Sequence, residues 1–256
     1  MSKVRTLILR APGTNCDGET AFAFQQAGAE TSLVHVNKLI NRVERLAEYQ
    51  IAVIPGGFTY GDDIAAGKVL ANELKVKLGD DILRFIEKGG LILGICNGFQ
   101  VLVRAGFLPQ PLNGDASHLT LTNNDSGKFE CRWVFMRANK ASNCVFTQGM
   151  DIVYLPVAHG EGKLVADAAT LSGLNIALVY TDEKGNSSSG YPANPNGSMN
   201  DIAGISDSSG RIFGLMPHPE RHISGTQHPQ WTRSGAKAEG DGFRFFKNSV
   251  DWAKRL

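Results

Sequence analysis

The sequence predicts an α/β fold, a three-layer sandwich whose mainly parallel central sheet is extended by antiparallel strands in the C-terminal half. Three observations carry this. Short β-forming runs alternate with helical stretches over the first hundred positions. Those runs are apolar throughout rather than alternating, the pattern of strands buried on both faces. Beyond Gly114, strand-like runs follow one another with few helices between them, which favours antiparallel pairing.

The elements follow in order. A strand at 4–9 is broken by Pro12-Gly13 and leads to an amphipathic helix at 18–27. A second unit pairs a strand at 31–36 with a polar helical stretch at 41–49, and a third pairs a strand at 51–54 with a long helix at 69–87. A fourth strand, 91–95, opens into a short helix at 98–104. Further strands are expected at 129–137, 151–155, 176–181, 202–206 and 211–216, the last two joined as a hairpin by Asp207-Ser208-Ser209-Gly210. The Gly-, Ser-, Asn- and Pro-rich stretch 184–200 reads as loop, either plain surface or functional. A closing helix at 242–255 offers Phe245, Phe246, Val250 and Trp252 to a buried face. Neither a repeat nor a linker interrupts the series, so a single domain over 1–256 is expected.

Composition narrows the function classes. At 42% hydrophobic and 20% charged residues, the chain has the balance of neither a disordered nor a membrane protein. The 26 Lys and Arg against 25 Asp and Glu give no general pull toward phosphate backbones, so nucleic acid is not an expected partner. Cys16, Cys96, Cys131 and Cys144 are widely spaced without a CxxC pair, which fits a reducing cytoplasm. No apolar run suits a signal peptide or a membrane span. The 29 glycines, about 11% against a usual value of roughly 7%, mark either a loop-rich chain or glycine-built sites.

Gly94-Ile95-Cys96-Asn97-Gly98 follows an apolar strand and opens a helix, the context of a nucleophile elbow with cysteine for serine. Glycines on either side relieve crowding in the tight turn, and a helix N-terminus favours a thiolate at Cys96. The pentapeptide alone fits equally a nucleophile and a buried cysteine beside a glycine-rich turn. A cysteine nucleophile needs a base, and His218 in Met216-Pro217-His218-Pro219-Glu220 is the best of six histidines. Each proline pushes the residue before it toward extended backbone, so Glu220 can lie beside His218 and orient its imidazole. His118, His159, His222 and His228 lack such a partner, and His35 sits in an apolar strand. Pro55-Gly56-Gly57-Phe58 leaves the third strand at the sheet edge where Cys96 should open. The amides of Gly57, Phe58 and Asn97 are therefore the candidate oxyanion hole. In isolation the same residues read as a Gly-Gly turn.

With these elements in hand, the chain resembles the class I, or triad, glutamine amidotransferases, which have a flavodoxin-like fold. The blocks IPGGFTYGDD at 54–63, GICNGFQ at 94–100, HGEGK at 159–163, YPANPNGS at 191–198 and GLMPHPER at 214–221 look like those of the glutaminase components of phosphoribosylformylglycinamidine synthase. The resemblance implies Cys96 as nucleophile, His218 as acid and base, and Glu220 as its orienting partner. Gln100, one helical turn beyond Cys96, is placed to help bind glutamine. The resemblance also implies no cofactor or metal in this chain, with ATP and magnesium on a separate synthetase subunit, and a small third subunit beside it. The implied activity is glutamine hydrolysis, with the ammonia used in purine biosynthesis to amidate formylglycinamide ribonucleotide. Ala65 stands where the family commonly has an arginine, and residues after about 223 fall outside the strongest motifs. The rival readings are an amidotransferase serving another acceptor, a stand-alone cysteine hydrolase, and a catalytically silent subunit.

Overall fold

The computed structural model describes residues 3–111, 118–187 and 190–256. Gly114, and Ser188 and Ser189 of the expected loop, lie outside the described residues. The strands are β1 (Arg5–Arg10), β2 (Glu30–His35), β3 (Ile51–Ile54), β4 (Leu91–Ile95), β5 (Leu119–Asn123), β6 (Glu130–Ala138), β7 (Ile152–His159), β8 (Glu161–Ala166), β9 (Asn175–Thr181), β10 (Ile202–Ser206) and β11 (Ile212–Leu215). The helices are α1 (Asp17–Gln26), α2 (Val36–Ile40), α3 (Lys68–Glu87), α4 (Asn97–Ala105), α5 (Ala168–Ser172), α6 (Trp231–Ser234) and α7 (Phe243–Ala253).

Nine strands form one sheet in the order β2-β1-β3-β4-β11-β10-β9-β6-β7. The first five are parallel and the rest antiparallel, with β10 and β11 as the expected hairpin. Every residue of β3, β4 and β11 is buried, which is why these segments read as continuous apolar runs. Helices α3 and α4 pack together, while α1 meets α7 through the edge-on pair Phe24 and Phe246, whose ring centroids are 5.0 Å apart. Leu70, Leu74, Leu78, Ile82 and Phe85 line the buried side of α3 at helical spacing, each burial contributing about 1.5–3 kcal/mol. No helix among the described residues is long and apolar enough to cross a membrane.

Three segments depart from the sequence expectation. Of the helix expected at 41–49, only the 3-10 turn Leu46–Glu48 forms. Instead α2 begins five residues earlier, where His35 Nδ1 accepts the Asn37 N–H at 3.2 Å as an N-cap, and Arg42 at φ +58° turns the chain back toward β3. Strands β5 and β8, which the sequence did not suggest, pair antiparallel as a separate two-stranded sheet. Strand β7 continues past Leu155 to His159 and so delivers the HGEG block to the sheet's edge.

One register fixes the site. Because β11 runs parallel to β4 with Leu215 opposite Ile95, the residues after both strands emerge at the same edge. Strand β3 ends there too, with Ile54 opposite Gly94.

Candidate active site

Cys96 joins β4 to α4 with φ +52° and ψ −105°. Such a backbone is costly for a residue with a side chain, of order 1–3 kcal/mol, and persists only where packing enforces it. Gly98 supplies that packing: a Cβ there would stand 1.9 Å from the Ile54 carbonyl oxygen, so only glycine lets α4 start flush against β3. The Cys96 thiol, buried at the start of α4, donates to the Ala158 carbonyl at 3.6 Å.

His218 follows β11. Its N–H donates to the Pro156 carbonyl of β7 at 2.9 Å, and its Nδ1 lies 2.6 Å from Glu220 Oε1. The two side chains meet through the short 3-10 turn Pro219–Arg221 rather than through a continued extended strand. Both are buried. Burial opposes charge on the imidazole, yet the Glu220 carboxylate and the Cys96 sulfur outweigh it and raise the His218 pKa well above the usual histidine value. The carboxylate also sets the tautomer, because it can only accept, so Nδ1 carries the proton toward it. His218 Nε2 and Glu220 Oε2 have no hydrogen-bond partner among the described residues.

The expected oxyanion hole needs one correction. The Phe58 N–H is committed to the Gly13 carbonyl at 2.9 Å, which removes it from the set. Gly57, at φ +152° and so close to Gly13 that a Cβ would come within 2.7 Å of its oxygen, has no backbone acceptor for its amide among the described residues. The same holds for the Asn97 amide at the first position of α4, where helical N–H groups lack partners. The Asn97 side chain ties the two loops together. Its Oδ1 accepts from the Thr59 N–H at 3.2 Å and hydroxyl at 2.7 Å, while its Nδ2 donates to Asp62 at 3.2 Å and Gln100 at 3.0 Å.

Gln100 is placed differently from expectation. Its Oε1 accepts from Asn97 and its Nε2 donates to the Glu161 carbonyl, so both ends of the amide brace α4 against the HGEG block. Arg104, a turn further along α4, repeats the link through a 3.0 Å ion pair with Glu161.

The sequence did not single out Asn124 or the function of His159. Asn124 Nδ2 donates to the carbonyls of Lys128 and His159, at 2.8 and 2.7 Å, which fixes its orientation. Its Oδ1 therefore accepts from Gly162 N–H at 3.1 Å and from His159 Nδ1 at 3.0 Å. Burial, aided by the nearby His218, pushes the His159 pKa down to about 3, so this imidazole stays neutral. The YPANPNGS block serves the same strand from below: Asn196 Nδ2 and the Ser198 hydroxyl both donate to the Gly162 carbonyl, at 2.8 and 3.3 Å. No local pattern announces the contacts to His159 and Gly162, because the partners are 34 to 38 positions apart.

A family profile described as CobB/CobQ-like glutamine amidotransferase domain matches residues 3–253. The chain belongs to this glutamine amidotransferase family. Among its relatives in the family, the chain is 59% identical, over the full length of both chains, to a Dehalococcoides mccartyi protein named phosphoribosylformylglycinamidine synthase subunit PurQ. It is 44% identical, over 97% of each chain, to the Methanococcus maripaludis protein of the same name. In fold, this amidotransferase is similar to a chain in the structure of PurLQS from Thermotoga maritima, with a TM-score of 0.76 and 31% identity over 98% of this chain and 99% of that one.

Proposed function

We infer that the chain is the glutaminase subunit of phosphoribosylformylglycinamidine synthase, acting in purine biosynthesis. The observation that carries this is a full-length match at 59% identity to a protein of that name, in a chain whose parallel strands bring Cys96, His218 and Glu220 to one edge. The whole chain acts as one amidotransferase domain in the cytoplasm. It works beside a synthetase subunit, which binds ATP and magnesium, and a small third subunit; the name PurLQS of the Thermotoga maritima assembly supports the two partner subunits.

The chemistry follows from the geometry. The Cys96 thiolate attacks the side-chain carboxamide carbon of glutamine, and the Gly57 and Asn97 amides receive the developing oxyanion. The imidazolium of His218, held charged by Glu220, protonates the departing ammonia. A glutamyl thioester remains on Cys96. Water gives a proton to His218, attacks the thioester and releases glutamate, restoring the thiolate and imidazolium. The ammonia amidates formylglycinamide ribonucleotide on the synthetase. The near-even charge of the chain suits a subunit that handles a zwitterionic amino acid and leaves phosphorylated substrates to its partner.

The test is to combine the chain with the synthetase and third subunit, formylglycinamide ribonucleotide, ATP and glutamine, and to follow glutamate and ADP together. Coupled formation of both supports the reading. Glutamate formed without amidated product, with a synthetase that is competent on free ammonia, overturns the choice of acceptor.

A further inference from the structure

Cys16 has no place in the reaction above, yet its sulfur lies in the same buried pocket. One donor atom each from Cys16, His218 and Glu220 lie within 4.8 Å of one another, and all three residues are buried. Gly56 makes this closeness possible: a Cβ on it would stand 2.8 Å from His218 Cε1 and 3.1 Å from Cys16 Sγ. Two further polar atoms, His218 Nε2 and Glu220 Oε2, are buried without a hydrogen-bond partner among the described residues. A thiol, an imidazole and a carboxylate converging in a buried space become, once the thiol and the imidazolium each give up a proton, the donor set of a tetrahedral zinc site.

We propose that Cys16, His218 and Glu220 bind a thiophilic divalent cation of the zinc type, and that its occupation stops glutamine hydrolysis by withdrawing His218 and Glu220 from Cys96. Zinc-type bond lengths space tetrahedral ligand atoms about 3.3–3.6 Å apart, so donors as much as 4.8 Å apart draw in by about 1 Å, while His218 Nδ1 and Glu220 Oε1, at 2.6 Å, move apart. On binding, Cys16 gives up its thiol proton and His218 its imidazolium proton to solvent, and the His218–Glu220 hydrogen bond breaks. The Cys16 thiolate and the Glu220 carboxylate then balance the two positive charges. Arg221 Nη2, 3.2 Å from Cys16 Sγ, remains as an N–H donor to the metal-bound sulfur, an outer contact of the kind that orients metal ligands. A solvent molecule completes the fourth position.

The metal arm of the test is independent of the proposed function; the inhibition arm rests on it. Cobalt(II) is titrated into Cys96→Ala protein, where the thiolate-to-cobalt absorption in the near ultraviolet reports a sulfur ligand other than Cys96. The expected result is a band saturating at one cobalt per chain, lost when Cys16→Ser or Cys16→Ala is added, with circular dichroism confirming that each variant is folded. In the assembled complex with Cys96 intact, zinc inhibition reversed by a chelator should weaken at least tenfold on Cys16→Ser, each protein being compared with its own zinc-free rate. Absence of the band in Cys96→Ala protein, or an undiminished band once Cys16 is replaced, overturns the proposal. Equal zinc inhibition with and without Cys16 overturns its inhibitory part and assigns the metal to the Cys96–His218 pair.

Discussion

His218 Nδ1 stands 2.6 Å from Glu220 Oε1, with both side chains sealed from solvent. A buried carboxylate beside an imidazole favours the charged ring, so Glu220 controls both how much of His218 is protonated and which way the ring faces.

Replacing Glu220 with Gln removes the charge and keeps the shape. Glutamine hydrolysis should fall by roughly two to four orders of magnitude, as in other triads that lose the carboxylate. The pH profile carries the sign. Glu220 raises the His218 pKa, so without it His218 gives up its proton at lower pH, and the alkaline limb of kcat/KM should move down. An unmoved limb would show that Glu220 does not set the charge of His218. Stability follows the same linkage. A raised folded-state pKa contributes stability that is fully present below the unfolded value of about 6.5 and is lost as pH rises through the folded value. Urea denaturation of Glu220→Gln should therefore show its largest deficit near and below neutrality.

His159 has the opposite sign. Its pKa is about 3 in the folded chain, so the unfolded chain binds its proton first, and stability should fall as pH drops below about 6.5. The contribution is about 1.4 kcal/mol per pH unit until the folded value is reached. In His159→Gln, the difference between urea midpoints at pH 7 and pH 5 should shrink. An unchanged difference would place His159 outside the neutral, buried setting described.

Asn124→Ala leaves His159 Nδ1, the Gly162 N–H and two carbonyls without their partner. A loss of about 2–4 kcal/mol is expected from unsatisfied buried groups, read by thermal melting. A neutral outcome would mean that water replaces the side chain.

The chemistry was readable from sequence where its partners are near neighbours or follow parallel strands. His218 and Glu220 are two residues apart. Cys96 and the Gly56-Gly57 turn follow apolar runs, and parallel pairing of β3, β4 and β11 brings their ends to one edge. The braces were not readable. Gln100 carries the right chemistry to contact a substrate, but its amide is taken by Asn97 and Glu161. The Phe58 amide is likewise taken by Gly13. Asn124, Asn196 and Ser198 act across 34 or more positions, a distance over which no periodicity speaks. The reduction of the expected helix at 41–49 to one 3-10 turn follows from a backbone reversal at Arg42 that residue composition does not encode.

Gly98→Ala tests the packing beneath the elbow. With the Ile54 oxygen 1.9 Å from the new Cβ, α4 must move away from β3, at a cost of about 3 kcal/mol or more. Alkylation of Cys96 by a glutamine-like chloroketone should slow in parallel with a lowered melting temperature. Unchanged labelling and melting would mean that the elbow does not depend on that contact.

The most direct measurement uses Cys96→Ala chain assembled with the synthetase and third subunit and supplied with formylglycinamide ribonucleotide and ATP. Amidated product should be lost with glutamine as the nitrogen source and retained with ammonium, the intact assembly serving as its own control. Product and glutamate formed from glutamine at the unsubstituted rate would contradict the assignment of Cys96 as the nucleophile.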